Sequence, residues 1–202
     1  VQEFGPERVR DAPISEAGFV GAAIGAALTG LRPVVDLMYF DFVTVAYDQL
    51  LSNAAKSRYM FGGQTRVPMT LFARSGAGTG HAAQHSESFY SMLAHIPGLK
   101  VVMPSLPSDA YNLLKASIRD PNPVIFIEHR WLHGVEEKKI IKKSIKNKIG
   151  ISKVLSRGKD FTVVTYSLST LEILAIKKEL NENKIVRKRN KTQNIRGFLG
   201  FL

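Results

Sequence analysis

The chain contains no cysteine among its 202 residues, which excludes disulfide bonds and thiolate metal sites. This absence fits a reducing compartment. The chain also lacks any apolar run near the ~18 residues that a membrane-spanning helix needs. Its first residues, "VQEFGPERVRDAP", are charged and have no apolar core, so we predict no signal peptide there. A hydrophobic share of 45% with a charged share of 22% is typical of a globular protein without membrane spans.

Acidic residues are scarce in the last third of the chain. Residues 138–202 carry 17 Lys and Arg against 4 Asp and Glu, whereas residues 1–137 carry 11 against 13. The net charge of +11 therefore belongs to the C-terminal third. Such a segment is either an arm that binds nucleic acid or a membrane surface, or a solvated linker with surface helices. It has few aromatic residues and no nucleic-acid motif, so we favour the solvated segment.

The first two-thirds of the chain alternate between strand-like and helix-like segments. Uniformly apolar strands separated by helices predict an α/β fold with a doubly wound, mainly parallel sheet. The predicted strands are "PVVDLMYF", "VPMTLFA", "LKVVMPS" and "PVIFIEH". The predicted helices are "APISEAGFVGAAIGAALTG", "TVAYDQLLSNAAKSRYMF", "HSESFYSMLAHI" and "PSDAYNLLKASIRD".

The C-terminal third is organised differently. Residues 134–150 are rich in charge and predict a linker, followed by a predicted strand at Asp160–Ser167 and a predicted amphipathic helix, "STLEILAIKKELNENK". One strand and one helix cannot bury a core alone. We therefore expect residues 151–202 to be the start of a further α/β domain that is incomplete.

The segment Ser75–Ser88, "SGAGTGHAAQHSES", follows the second predicted strand. A dinucleotide fingerprint requires a third glycine where His81 stands, and no Gly-Lys-Ser/Thr follows for a phosphate-binding P-loop. His81 and His85 are four residues apart, as in zinc proteases, but the glutamate of that motif would fall at Ala82. Ligands of parallel sheets bind beyond the carboxyl ends of strands. The segment is therefore either the mouth of another kind of site or a flexible, glycine-rich turn.

Several blocks between residues 5 and 133 occur together, among them "PISEAGFVGAA", "AAQHS" and "PGLKVV". Together they resemble the β subunit of thiamine-diphosphate-dependent 2-oxo acid dehydrogenases of the pyruvate, branched-chain and acetoin types. The resemblance implies that residues 1–133 form the transketolase-like pyrimidine-binding domain of that subunit, without its first strand. It implies that residues 151–202 begin the transketolase C-terminal domain and end in a divergent tail, as expected of a truncated or frame-shifted product.

The resemblance also implies roles for individual residues. Glu16, in "PISE", matches the glutamate that hydrogen-bonds the ring nitrogen of the aminopyrimidine, and Ile14 beside it is expected to contact the same ring of the cofactor. Phe42, in "YFDF", matches an aromatic residue that packs on the pyrimidine ring. His85, in "AAQHS", matches a histidine of the substrate channel that handles protons, an oxyanion or the incoming lipoyl group. His81 matches no functional position and is expected on the loop surface. Without the resemblance, Glu16 is an ordinary acidic residue of a first helical turn and Phe42 an ordinary core residue.

The resemblance finally implies further ligands and partners. The stretch "SIRDPN" resembles a loop that binds a structural potassium ion through Ser117, Ile118, Asp120 and Asn122. The chain has no Gly-Asp-Gly, so an α subunit is expected to supply the magnesium and diphosphate ligands in an α2β2 heterotetramer. The enzyme would oxidatively decarboxylate a 2-oxo acid and transfer the acyl group to a lipoyl-bearing acyltransferase component. It would lie in a bacterial cytoplasm or a mitochondrial matrix. The alternative is a catalytically inactive truncated subunit that keeps only a partner-binding surface.

Overall fold

A computed structural model describes residues 1–138, 149–157 and 162–182. Its four strands are β1 (Val34–Tyr39), β2 (Thr70–Ser75), β3 (Lys100–Val102) and β4 (Val124–His129). All three pairings are parallel, and the order across the sheet is β1-β2-β4-β3. The predicted parallel α/β fold is confirmed.

Helices and short turns connect these strands. The α-helices are α1 (Glu16–Leu28), α2 (Ser57–Met60), α3 (Tyr90–Ala94), α4 (Pro107–Arg119) and α5 (Ser167–Glu182). The 3₁₀ turns span Phe40–Thr44, Ala83–His85 and Arg130–Leu132, and a π-helical segment spans Gln49–Ala54. No described helix is long and apolar enough to cross a membrane.

Strand β4 divides the core, because its successive side chains point to opposite faces of the sheet. Ile125 and Ile127 belong to the large cluster on one face, and Val124 and Phe126 to a smaller cluster on the other. All four are fully buried. The sheet is therefore covered on both faces, as a run of consecutive apolar residues predicts for a parallel strand.

Helix α1 is built for close packing. Val20, Ile24 and Ala27 are buried at helical spacing. Gly21 faces the π-helical segment so closely that a Cβ there would lie 3.3 Å from Oε1 of Gln49. The helix terminates near Gly30, which has φ +100° and donates its N–H to the carbonyl of Ala27.

Some predicted elements were wrong. The predicted helix from Thr44 to Phe61 is divided between a 3₁₀ turn, the π-helical segment and α2. In "HSESFYSMLAHI" only α3 is α-helical. Its first residues cannot join a helix because Glu87 donates its N–H to Asp41 Oδ1 and its carbonyl accepts from Ser75 Oγ.

The strand predicted at Asp160–Ser167 was also wrong over its described part. Residues 162–166 are irregular, and α5 begins at Ser167. A strand requires a neighbour, and none of the four described strands pairs with this stretch. Instead, the N–H of Tyr166 bonds to Ser169 Oγ at 3.4 Å, and Thr165 Oγ1 lies 2.6 Å from the same oxygen. Most of the predicted linker, residues 139–148, and the tail, residues 183–202, lie outside the described residues.

Candidate active site

Three adjacent strands end at one edge of the sheet. Tyr39 pairs with Arg74, and Ser75 pairs with His129, so β1, β2 and β4 end side by side. After β1 the chain enters the 3₁₀ turn Phe40–Thr44, and after β2 it enters the glycine-rich loop of residues 76–82. After β4 it enters the 3₁₀ turn Arg130–Leu132. Ligand sites of parallel sheets form at such an edge.

Tyr39 is directed by an irregularity in β1. Asp36 pairs with Phe72 and Tyr39 with Arg74, so β1 carries one extra residue over this interval. Met38 takes up that residue with φ +64°, and its N–H donates to Asp36 Oδ1 at 2.8 Å. Asp36 also pairs with Arg74 at 3.1 Å. The bulge interrupts the alternation of side chains between the two faces of the sheet just before Tyr39.

His85 lies in an aromatic cluster at this edge. Its ring centroid is 4.4 Å from that of Tyr39 and 5.6 Å from that of Phe42, with interplanar angles of 78° and 90°. Tyr39 and Phe42 are themselves 6.3 Å apart and nearly perpendicular. All three side chains are half-buried. Phe42 and His85, which the resemblance assigned to one site, are therefore in contact.

The turn that carries His85 is fixed from three strand ends. Arg130, after β4, donates from Nη2 to the His85 carbonyl at 2.9 Å. Asp41, after β1, accepts the Glu87 N–H at 2.8 Å, and Ser75, at the end of β2, donates to the Glu87 carbonyl at 3.2 Å. We call these three contacts the strand-end anchors. They hold the backbone of the turn against the sheet.

The glycine-rich loop lies tightly against the chain that follows β4. Gly76 has φ +114°, and a Cβ there would lie 2.5 Å from Nε2 of His129. Trp131 donates from Nε1 to the carbonyl of Ala77 at 3.1 Å. Gly76 is therefore required by both its backbone conformation and the closeness of the His129 ring.

Glu16 is the first residue of α1, and its side chain is half-buried. Helix α1 and strand β1 are consecutive, packed together and of similar length, so Glu16 lies towards the edge where β1 ends. Among the described residues, its carboxyl has no hydrogen-bond or ion-pair partner. Ile14 is 97% exposed. A partly desolvated, unpartnered carboxyl fits the ring nitrogen of an aminopyrimidine, and Phe42 offers an aromatic face.

Sequence reasoning missed three members of the site, namely Tyr39, Arg130 and His81. Tyr39 was assigned only to a strand, and Arg130 to no role. The guanidinium carbon of Arg130 lies 4.4 Å above the Tyr39 ring centroid. His81, expected on the loop surface, is indeed exposed, but its Nδ1 lies 3.2 Å from Arg130 Nη1 and its ring 6.0 Å from that of Tyr39. The available signal was that Tyr39 and Arg130 stand where apolar strands end.

His129 adds a neutral imidazole to this edge. Burial is the main cause that lowers the pKa of His129, and the positive charges of Arg130 and His133 act in the same direction, against the carboxylate of Glu172. Its Nδ1 accepts the Trp131 N–H at 3.3 Å. The proton of the neutral ring therefore resides on Nε2.

The four residues assigned to potassium lie in the last turn of α4 and in the loop that follows it, and several of their oxygens have protein partners. Arg32 Nη1 donates to the carbonyls of Ile118 and Asp120, at 3.1 and 3.0 Å. Asn122 Oδ1 accepts from Arg58 at 2.8 Å, and Lys100 pairs with the Asp120 carboxylate. The hydroxyl of Ser117 donates to the carbonyl of Leu113. A carbonyl oxygen has two lone pairs, so the bonds from Arg32 leave the carbonyls of Ile118 and Asp120 with capacity for a cation. The potassium site therefore stays a prediction.

Residues 1–134 match the family described as "Transketolase, pyrimidine binding domain". The chain belongs to this family. The match includes Glu16, Tyr39, Phe42, His85 and Arg130, so every member of the candidate site lies within the pyrimidine-binding domain.

Similar proteins share this domain. The β-2 subunit of the mitochondrial pyruvate dehydrogenase E1 component of Oryza sativa subsp. japonica is 46% identical over 170 residues, which are 83% of this chain and 45% of that protein. The corresponding β subunit of Rhizobium meliloti is 45% identical, over 92% of this chain and 40% of that protein. The β subunit of acetoin:2,6-dichlorophenolindophenol oxidoreductase from Bacillus subtilis is 52% identical over 136 residues, which are 67% of this chain and 40% of that protein. The chain thus spans less than half the length of these relatives.

A solved structure described as "Split gene transketolase, inactive beta4 tetramer" superposes with a TM-score of 0.76 at 19% identity. The alignment covers 98% of this chain and 59% of the other. At this identity the likeness establishes the fold of the pyrimidine-binding domain alone.

Proposed function

We propose that this chain is the β subunit, or a fragment of it, of the decarboxylating component of a 2-oxo acid dehydrogenase. In this proposal residues 1–133 contribute the aminopyrimidine side of a thiamine diphosphate site, residues 134–150 are a linker and residues 151–202 begin a C-terminal domain. The observation that carries the proposal is the contact between His85 and Phe42 at the carboxyl edge of the sheet, 5.6 Å between ring centroids. The names of the relatives support it over the alternative of an inactive subunit.

Each residue of the site has a defined task in this proposal. Thiamine diphosphate, when bound, supplies the electron sink for decarboxylation. The Glu16 carboxyl hydrogen-bonds the pyrimidine ring nitrogen, beside Ile14, and Phe42 packs on the ring. His85 holds or delivers a proton at the oxygen of the reacting substrate. The strand-end anchors limit the movement of His85, which preserves its orientation toward the substrate.

The remaining components come from other chains. An α subunit supplies the magnesium and diphosphate ligands, because the chain contains no Gly-Asp-Gly, and the assembly is an α2β2 heterotetramer. A lipoyl-bearing acyltransferase component accepts the acyl group. Potassium binds at Ser117, Ile118, Asp120 and Asn122. The relatives include bacterial and mitochondrial proteins, so the compartment is a bacterial cytoplasm or a mitochondrial matrix.

The test is co-expression with an α subunit and an assay of 2-oxo acid-dependent reduction of an artificial electron acceptor. Glu16→Gln should lower the rate by about a hundredfold or more, since it removes a group engaged in proton transfer. Glu7→Gln is the matched control, because the Glu7 side chain is 87% exposed. Equal rates for the Glu16 variant and the parent would refute the role of Glu16. An assembled but inactive parent would favour the inactive subunit.

A further inference from the structure

Arg130 carries a positive charge that the described chain does not neutralise. Its side chain is half-buried, and no described carboxylate lies within ion-pair distance of its guanidinium. Its partners are a hydroxyl (Thr79), an imidazole (His81), a backbone carbonyl (His85) and the ring of Tyr39. A cation held only by neutral groups attracts an anion in a partly desolvated site.

The guanidinium also retains donor capacity. Of the five N–H groups of an arginine, Nη1 uses two, for Thr79 at 2.9 Å and His81 at 3.2 Å, and Nη2 uses one for the His85 carbonyl. The Nε–H group is buried and finds no acceptor among the residues that the structure describes. Buried donors are nearly always satisfied, so Arg130 keeps unused donor capacity beside the site.

Arg130 fixes the tautomer of His81. An arginine can only donate, so His81 Nδ1 must accept from Nη1, and it also receives the hydroxyl of Thr79 at 2.9 Å. The proton of the neutral ring then resides on Nε2. Because His81 is exposed, this N–H group is available to a ligand that approaches the edge of the sheet.

We propose that Arg130 and His81 form an anion-recognising pair beside His85, which selects a substrate that bears a carboxylate over an uncharged one. The inference rests on the proposed function and deepens it: the pair favours a 2-oxo acid such as pyruvate over acetoin, which carries no charge. Arg130 acts through its fixed charge and by holding two neighbours, and His81 donates from Nε2. Arg130 is also a positioning residue for His85, since it holds the His85 carbonyl.

The first test is independent of turnover. Imidazole proton–nitrogen correlation spectra of the full chain resolve its 5 histidines. The Nε2–H form of His81 is expected to dominate in the parent and in Arg130→Lys, and to fall in population in Arg130→Met, where only the Thr79 hydroxyl still donates to Nδ1. Addition of pyruvate should shift the His81 and His85 signals of the parent, whereas acetoin at the same concentration should not. Arg66→Met is the matched control, because it removes the same positive charge from an exposed position.

The second test is the selectivity of the co-expressed α and β subunits. Arg130→Met should lower the ratio of kcat/KM for pyruvate to that for acetoin by roughly tenfold or more, mainly through KM, because one charge interaction is lost. Arg130→Lys should restore most of the ratio. If Arg130→Met does not fold, His81→Gln, at an exposed position, should lower the same ratio by a smaller factor.

The outcomes separate the two proposals. A parent that is inactive on both substrates, yet binds pyruvate in the spectra through Arg130, overturns the proposed function and leaves the anion-recognising pair standing. An active enzyme whose substrate ratio and pyruvate-dependent shifts are the same in the parent, Arg130→Met and His81→Gln overturns the pair and leaves the proposed function standing.

Discussion

The ring of His85 meets the ring of Tyr39 nearly edge-on, with centroids 4.4 Å apart. Arg130 covers the Tyr39 ring at 4.4 Å. Tyr39 therefore lies between a charged side chain and the candidate catalytic histidine, and each of the three restricts the movement of its neighbours. Such aromatic contacts each contribute about 1 kcal/mol beyond the area they bury.

Replacement of Tyr39 tests this arrangement. Tyr39→Leu should lower the free energy of unfolding by about 1–2 kcal/mol, because both ring contacts are lost, and should lower kcat/KM of the assembled enzyme. Tyr39→Phe keeps the ring and should change both quantities little. Urea denaturation and steady-state kinetics measure the two effects. Identical results for the leucine and phenylalanine variants would show that the ring has no such role.

Replacement of Gly76 tests the packing of the glycine-rich loop. Gly76→Ala combines a left-handed backbone with a Cβ only 2.5 Å from the His129 ring, so it should destabilise the fold by about 2 kcal/mol or more. Gly80→Ala is the matched control, since Gly80 has φ +78° but no atom of the described part of the chain within 4 Å of the added carbon. It should cost about 1 kcal/mol. Equal denaturation midpoints for the two variants would contradict the contact with His129.

His129 should make stability depend on pH. Because burial lowers the folded-state pKa of His129 below its usual 6.5, the unfolded chain binds more protons in this range, and stability rises with pH. The contribution is fully present above pH 6.5 and is lost as the pH falls towards the lowered folded-state pKa. His129→Gln should flatten this part of the stability profile, measured by urea denaturation between pH 5 and pH 8. His95→Gln, at an exposed position, is the matched control for the loss of an imidazole.

A pair of tyrosines links the residue before α5 to the first residue of α3. The hydroxyl of Tyr166 donates to that of Tyr90 at 3.0 Å. Burial, followed by this hydrogen bond, raises the pKa of Tyr166 to about 12. Tyr90→Phe removes the acceptor and should move the pKa of Tyr166 back towards 10, while burial keeps it above that value. Carbon-13 spectra of labelled tyrosine rings follow this titration, and an unchanged pKa in the variant would argue against the hydrogen bond.

Removal of potassium tests the loop that follows α4. If potassium binds there, exchange of potassium for tetramethylammonium should lower Tm, because a ligand that binds only the folded state stabilises it. Asn122→Ala should lose most of this response. Thermal unfolding followed by circular dichroism measures both. A parent with the same Tm in both cations would show that the contacts with Arg32 suffice for the loop.

The strands were predictable because burial on both faces of a parallel sheet leaves consecutive apolar residues, as in "PVIFIEH". The stretch from His85 to Ser88 was not predictable, since its helical spacing is overridden by the bonds of Glu87 to Asp41 and Ser75, 46 and 12 residues away. Local patterns do not encode such distant partners. The strand predicted at Asp160–Ser167 failed for a related reason, because β-branched residues favour a strand only where a neighbour exists.

The candidate site was predicted in part. Its place at a strand end follows from parallel topology, and the contact of Phe42 with His85 agrees with their assignment to one site. The roles of Glu16, Ile14, Phe42 and His85 stay predictions. Arg130 was invisible in the sequence because its significance depends on four partners between 45 and 91 positions earlier in the chain. The tautomer of His81 depends on the same contacts.

The strand-end anchors have a consequence for how this protein can diversify. None of the three backbone contacts that hold the His85 turn originates in residues 76–82. Exposed positions of the glycine-rich loop whose side chains do not contact Arg130, such as Ala77, can therefore change without loosening these anchors. These loop positions at the entrance can thus vary in sequence while the strand-end anchors and His85 remain unchanged. Substitutions in the loop could alter which molecules enter the site, while His85 keeps its position relative to the sheet.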